Sequence, residues 1–146
     1  MKGKIILTLV IVTLALSLCS VNSFDIYRYQ YKFEAHKEEF EELVSLLKSQ
    51  NIKVGYPINV NELPQNIRSI LNGLDISDVN TNASSCTETP AYEFTTSWSS
   101  KATLYFSKDS CNKEQTIKGY HEKVSETIEL WGMGDGWYMW IDYDFI

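Results

Sequence analysis

Large, mostly apolar residues recur at steps of three and four positions between residues 26 and 47. The repeating set is Ile26, Tyr29, Phe33, His36, Phe40, Leu43, Val44 and Leu47. This spacing predicts an amphipathic helix with one buried face and a solvated face rich in glutamate. The predicted helix covers Lys32 to Ser49. Residues 26–31 also alternate as a strand does, so helix and strand both stay open there.

A second, shorter helix is predicted from Leu63-Pro64 to Gly73, because proline early and glycine at the end are typical of helix boundaries. After it, apolar positions mostly alternate with period two, which is typical of strands. The candidate strands are residues 75–80, 92–98, 102–107, 124–131 and 137–145. The glycine-rich stretch from Gly132 to Gly136 separates the last two and is predicted to be a hairpin loop.

The order of these elements, helices first and strands afterwards, favours an α+β fold. We expect two N-terminal helices packed on one face of an antiparallel β-meander of about four to five strands. A chain of 146 residues has the usual size of one domain. Residues 24–146 are therefore predicted to form a single α+β domain.

The first 23 residues resemble a signal peptide. Lys2 and Lys4 precede an apolar run of 14 residues from Ile5 to Leu18, whereas a membrane-spanning helix needs about 20 apolar residues. Small residues before position 24 predict cleavage after Ser23 and export to the periplasm or the exterior.

Two alternatives to cleavage after Ser23 remain. The leader is retained as an anchor in the first. In the second, Cys19 is lipidated, because Leu16-Ser17-Leu18-Cys19 partly matches a bacterial lipobox. The domain is exported in either case.

Two cysteines, Cys86 and Cys111, remain after the predicted cleavage. An even number of cysteines in an exported chain predicts one disulfide. Their midpoint, position 98.5, is near the turn between the candidate strands 92–98 and 102–107. The two thiols are therefore expected to lie opposite each other at the open end of one hairpin.

The net charge of the predicted domain excludes some classes of binding partner. Residues 24–146 contain 19 acidic and 11 basic residues, so their formal charge is −8. Such a surface repels phosphate backbones and anionic lipids. We therefore expect no nucleic-acid partner, and membrane contact only through an uncleaved or lipidated leader. A basic protein is the expected partner.

The last candidate strand has aromatic residues on both faces. Period two places Trp137, Met139, Ile141, Tyr143 and Phe145 on the core side. The opposite side then carries Tyr138, Trp140, Asp142 and Asp144, with Trp131 expected beside them on the neighbouring strand. Tryptophan and tyrosine are enriched in surfaces that become buried on binding. This pattern predicts an acidic aromatic recognition face, and the alternative is that a loop covers these rings.

Catalytic chemistry has little support in the sequence. Asp142 and Asp144 would lie about 7 Å apart along a strand, and paired carboxylates serve glycoside hydrolysis or Ca²⁺ binding. The chain contains no G-x-S-x-G or H-E-x-x-H motif and no Cys–His arrangement. We predict no catalytic residues, no metal site and no cofactor.

Size, leader and charge together predict a small exported interaction protein. In size and charge alone, without a shared motif, the chain loosely resembles bacterial immunity or inhibitor proteins that bind a basic enzyme. The alternative function is a sugar- or lipid-binding module that uses the C-terminal aromatic face. A hydrolase with a carboxylate site is the third hypothesis.

Overall fold

A computed structural model describes residues 25–50, 57–82, 91–99, 102–109, 111 and 113–143. The chain divides into two compact units, Met1–His36 and Lys37–Ile146. The predicted leader with Cys19, and also Cys86 and Asp144, lie outside the described residues. Among the described helices, none combines the length and the apolar character that crossing a membrane requires.

Helix α1, in the first unit, is described over residues 25–35. Residues 26–31 are therefore helical, which decides between the two structures that the sequence left open. Ile26 and Phe33 are buried, whereas Tyr27 and Tyr31 are 72% and 78% exposed. A turn at His36 ends the helix, where the His36 N–H donates to the Phe33 carbonyl at 3.0 Å. The predicted helix from Lys32 to Ser49 is therefore confirmed at residues 32–35 and 37–49, but an i to i−3 turn at His36 divides it.

The second unit contains helices α2, Lys37–Ser49, and α3, Gln65–Gly73, with a 3₁₀ turn at Val60–Glu62. Helix α2 buries the second half of the predicted apolar stripe, namely Phe40, Leu43, Val44 and Leu47. Helix α3 buries Ile67 and Leu71 and includes Gly73 as its last residue. The second predicted helix is thus confirmed at its C-terminal end.

Within the described part of this unit, seven antiparallel strands form one sheet. They are β1 Pro57–Ile58, β2 Ile76–Asn82, β3 Ala91–Thr96, β4 Thr103–Lys108, β5 His121–Lys123, β6 Ile128–Gly134 and β7 Trp137–Asp142. The α+β class with an antiparallel sheet is confirmed. The predicted number of four to five strands was too low, because the two- and three-residue strands β1 and β5 leave no period in the sequence.

The strand order is β1-β2-β3-β4-β7-β6-β5, so the sheet is not a simple meander. Strand β5, the next strand along the chain after β4, lies at the edge of the sheet. Strands β6 and β7 then return inward by successive antiparallel pairing, and β7 lies beside β4. This return places the last strand near the centre of the sheet.

The aromatic side chain of Phe40 anchors α2 on one face of the sheet. Its ring centroid lies 5.8 Å from that of Phe94 and 5.6 Å from those of Phe106 and Trp137. We call this face the inner face and the opposite one the outer face. Phe94, Phe106 and Trp137 are fully buried. The position of α3 on the inner face stays a prediction.

Candidate binding face

The pairing of β7 with β4 fixes which side chains share the outer face. The opposed pairs are Thr103–Asp142, Leu104–Ile141, Tyr105–Trp140, Phe106–Met139 and Ser107–Tyr138. Directly opposed residues point to the same side of a sheet, and successive residues alternate. Because Phe106 is on the inner face, Tyr138, Trp140 and Asp142 lie on the outer face. The predicted alternation of the last strand is confirmed as far as Asp142, and Asp144 lies outside the described residues.

Trp131 does not lie beside these residues, and its predicted place on the recognition face was wrong. It pairs with Met139 and is therefore on the inner-face side. The pairing shifts by one residue between Gly132 and Gly134. Without that shift Trp131 would oppose Trp140, because Gly134 opposes Trp137 next to the turn. This one-residue bulge therefore places the Trp131 ring on the inner-face side of the sheet instead of the outer face.

The outer face contains a concave groove of about 360 Å³. Its lining residues are Asn80, Glu93, Tyr105, Ile128, Trp140 and Asp142. They come from β2, β3, β4, β6 and β7, so the groove runs across five adjacent strands. We call it the outer groove. All six side chains are half-buried.

The groove combines residues that are distant in sequence. Trp140 and Asp142 were predicted as binding residues. The other four lining residues were missed; they are Asn80, Glu93, Tyr105 and Ile128. Glu93 gave one sequence signal, because it is a charged residue between the buried residues Tyr92 and Phe94. That signal places Glu93 on the face away from the core, but not next to Trp140.

Negative charge dominates the groove. Burial raises the pKa of the Glu93 carboxyl, and a hydrogen bond with Asn80 partly opposes this effect. Burial and the charges of Asp142 and Glu93 raise the pKa of the Tyr105 hydroxyl. The six lining residues include two carboxylates and no lysine, arginine or histidine. A cation in the groove would therefore meet an attractive potential.

A loop covers a different part of the outer face. A Cβ added to Gly132, the partner of Tyr138, would lie 2.0 Å from the carbonyl oxygen of Ile117 and 2.7 Å from that of Gln115. The chain at Gln115–Ile117 thus passes over the sheet at Gly132. Burial raises the pKa of the Tyr138 hydroxyl as well. The alternative of a covering loop therefore applies near Gly132, whereas Trp140 lines the groove.

The described residues contain no group of three or more histidine, cysteine, aspartate or glutamate side chains placed to hold a metal ion. On the inner-face side, His121 Nε2 lies 3.6 Å from Glu129 Oε2. The His121 ring stacks on Trp131 with 3.8 Å between centroids. His121 therefore has one aromatic ring and one carboxylate beside it, which is fewer than the three ligands of a metal site.

No protein-family model, curated protein or solved structure matches this chain. A functional assignment therefore depends on the residues of the outer groove themselves.

Proposed function

We propose that this protein is a small exported interaction protein that binds a basic protein partner in the outer groove. The observation that supports this most is the position of two aromatic residues, Tyr105 and Trp140. The strand register places them between Glu93 and Asp142 in the outer groove. Buried aromatic anchors supply much of the energy in protein interfaces. Carboxylates around them attract and orient a basic partner.

The pKa of Glu93 supports the same proposal. Burial raises it, so the ionised side chain is held in surroundings that disfavour its charge. We therefore expect a neutral residue at this position to stabilise the sheet better. Residues that cost stability are common at binding sites, where a partner restores the lost interactions. A lysine or arginine of the partner would do so here.

The experiment compares two tryptophans on neighbouring strands and opposite faces. Trp140→Ala removes a ring from the outer groove, and Trp131→Ala removes one from the inner-face side as a matched control. A deca-arginine peptide is titrated by calorimetry at low and high salt, with deca-glutamate as the negative control. We expect Trp140→Ala to weaken binding by about 2 kcal/mol, or roughly thirtyfold. We expect Trp131→Ala to bind as the wild type does.

Three results would contradict the proposal. They are absence of deca-arginine binding at low salt, equal losses in both tryptophan variants, and binding of deca-glutamate with similar affinity. Salt-independent binding of a neutral oligosaccharide or a lipid, lost in Trp140→Ala, would instead favour the sugar- or lipid-binding alternative. Unfolding of Trp140→Ala under native conditions would show that this ring belongs to the core.

Export is part of the same proposal, on the basis of the leader sequence. N-terminal sequencing of the exported protein is expected to begin at Phe24. A chain that starts at Met1 would contradict cleavage. A chain that starts at a lipidated Cys19 would contradict cleavage after Ser23 and would still agree with export.

A further inference from the structure

The outer groove is long enough for a stretch of peptide. It crosses β2, β3, β4, β7 and β6, which are adjacent in the sheet. Neighbouring strands are about 4.8 Å apart, so five strands span roughly 19 Å across the sheet. Between the level of Glu93 and that of Asp142 the groove also shifts by four residues along β4, so its ends are roughly 23 Å apart. An extended chain covers that distance with about seven residues at roughly 3.3 Å each.

The two carboxylates lie at separate points along this path. Glu93 opposes Ser107 on one side of β4, and Asp142 opposes Thr103 on the other side. The separation is two strand spacings sideways and four residues along β4, which gives about 16 Å between the two Cα atoms. Tyr105 lies midway between Ser107 and Thr103, and Trp140 opposes it. The order along the groove is therefore carboxylate, pair of rings, carboxylate.

An extended peptide presents every second side chain on the same face. Residues i and i+4 of such a peptide are about 13 Å apart, and the long side chains of lysine and arginine reach further. Residue i+2 then faces the rings. We infer, on the basis of the proposed function, that the partner contributes an extended segment with basic residues at i and i+4 and an apolar residue at i+2. Glu93 and Asp142 each receive one cation, and Tyr105 and Trp140 contact the apolar side chain.

The test uses two peptides of identical composition. The spaced peptide has the core Arg-Ser-Leu-Ser-Arg, and the clustered peptide has the core Ser-Arg-Arg-Leu-Ser. One additional exposed ion pair corresponds to about a fivefold change in affinity, so we expect the spaced peptide to bind about fivefold more tightly. Glu93→Gln and Asp142→Asn should each reduce its affinity to that of the clustered peptide. Glu42→Gln, an exposed acid on α2, should leave the ratio unchanged.

The results with the two peptides distinguish failure of the i and i+4 spacing from failure of the proposed function. Equal affinities for both peptides, with both lost in Trp140→Ala, would overturn the spacing and leave the binding of basic partners intact. The spacing is also overturned if Glu93→Gln and Asp142→Asn leave the ratio unchanged. Failure of both peptides and of deca-arginine would overturn both ideas. Glu93→Gln and Asp142→Asn keep the size of the side chain, so both variants are expected to stay folded. Thermal unfolding is measured for these two and for Trp140→Ala.

Discussion

Trp140 lies directly opposite Tyr105 across the β4–β7 ladder, on the face of the sheet away from Phe40. The Tyr138 ring meets Trp140 edge to face, with 6.1 Å between centroids. Cross-strand aromatic pairs stabilise a sheet, and they also form a broad apolar surface. Here that surface lies between Glu93 and Asp142, so the rings and the carboxylates are presented together.

Glu93→Gln is expected to raise the free energy of unfolding at pH 7. Burial raises the pKa of Glu93 above its ordinary value of 4.5. The stability linked to its neutral form is therefore fully present below pH 4.5 and is lost as the pH rises through the higher folded pKa. Glutamine stays neutral and keeps that stability at every pH.

Urea unfolding at pH 4 and pH 7 tests this prediction, with Glu42→Gln as the control on α2. The advantage of Glu93→Gln over the wild type should grow from the lower pH to the higher one. A wild type that is more stable than the variant at pH 7 would refute the sign of the effect.

Glu41→Gln is expected to have the opposite pH dependence. Glu41 Oε1 accepts hydrogen bonds from Lys108 Nζ at 2.7 Å and from Trp137 Nε1 at 2.6 Å. Burial by itself raises the pKa of Glu41, but these bonds and the charges of Lys108 and Lys37 bring it below 4.5. The carboxylate therefore stabilises the fold above pH 4.5, and this contribution disappears as the pH falls through the lower folded pKa.

The Glu41 side chain is 41% exposed, so solvent screens its ion pair and the loss at pH 7 should be about 1 kcal/mol. Acid titration of thermal stability checks this. The gap in stability between the wild type and Glu41→Gln should narrow as the pH falls below 4.5 and close once the pH is below the lowered pKa of folded Glu41. A gap that stays constant with pH would show that the charge of Glu41 makes no contribution.

Gly132→Ala is expected to destabilise the fold by about 1–3 kcal/mol, because the added methyl group would overlap the Ile117 carbonyl and the covering loop must move. Gly73→Ala is the matched control, since no atom lies within 4 Å of its Cβ position. That change in α3 should be neutral or stabilise by up to about 1 kcal/mol. Equal stabilities of the two variants in urea would contradict the close approach of the loop.

The Cys86–Cys111 disulfide stays a prediction, because Cys86 lies outside the described residues. The hairpin that it would close is centred on position 100, as the pairs Tyr92–Lys108 and Thr96–Leu104 show. This centre is within two residues of the midpoint of the two cysteines. Replacing both with alanine should cost about 2–5 kcal/mol of stability. Two free thiols in the unfolded, unreduced mature chain would rule the bridge out.

Much of the secondary structure is determined locally. The helical spacing of Phe40, Leu43, Val44 and Leu47 predicts the buried face of α2, and the alternation of residues 137–142 predicts the two faces of β7. Both patterns follow from backbone geometry alone, which repeats every 3.6 residues in a helix and every two in a strand. The acidic charge of the chain also comes directly from its composition.

The sequence does not determine which faces meet. The pairing register of β6 with β7 shifts by one residue between Gly132 and Gly134. A shift of one residue exchanges the two faces of a strand, and Trp131 points to the inner-face side for this reason alone. Glu93 and Trp140 line one groove only because β7 returns to lie beside β4. Such neighbours depend on the pairing of residues that are 29 to 39 positions apart in β4 and β7, from Lys108–Trp137 to Thr103–Asp142. Local periodicity does not encode such pairing. The tertiary structure therefore decided the outer groove, whereas the sequence had already determined the aromatic and acidic residues of its last strand.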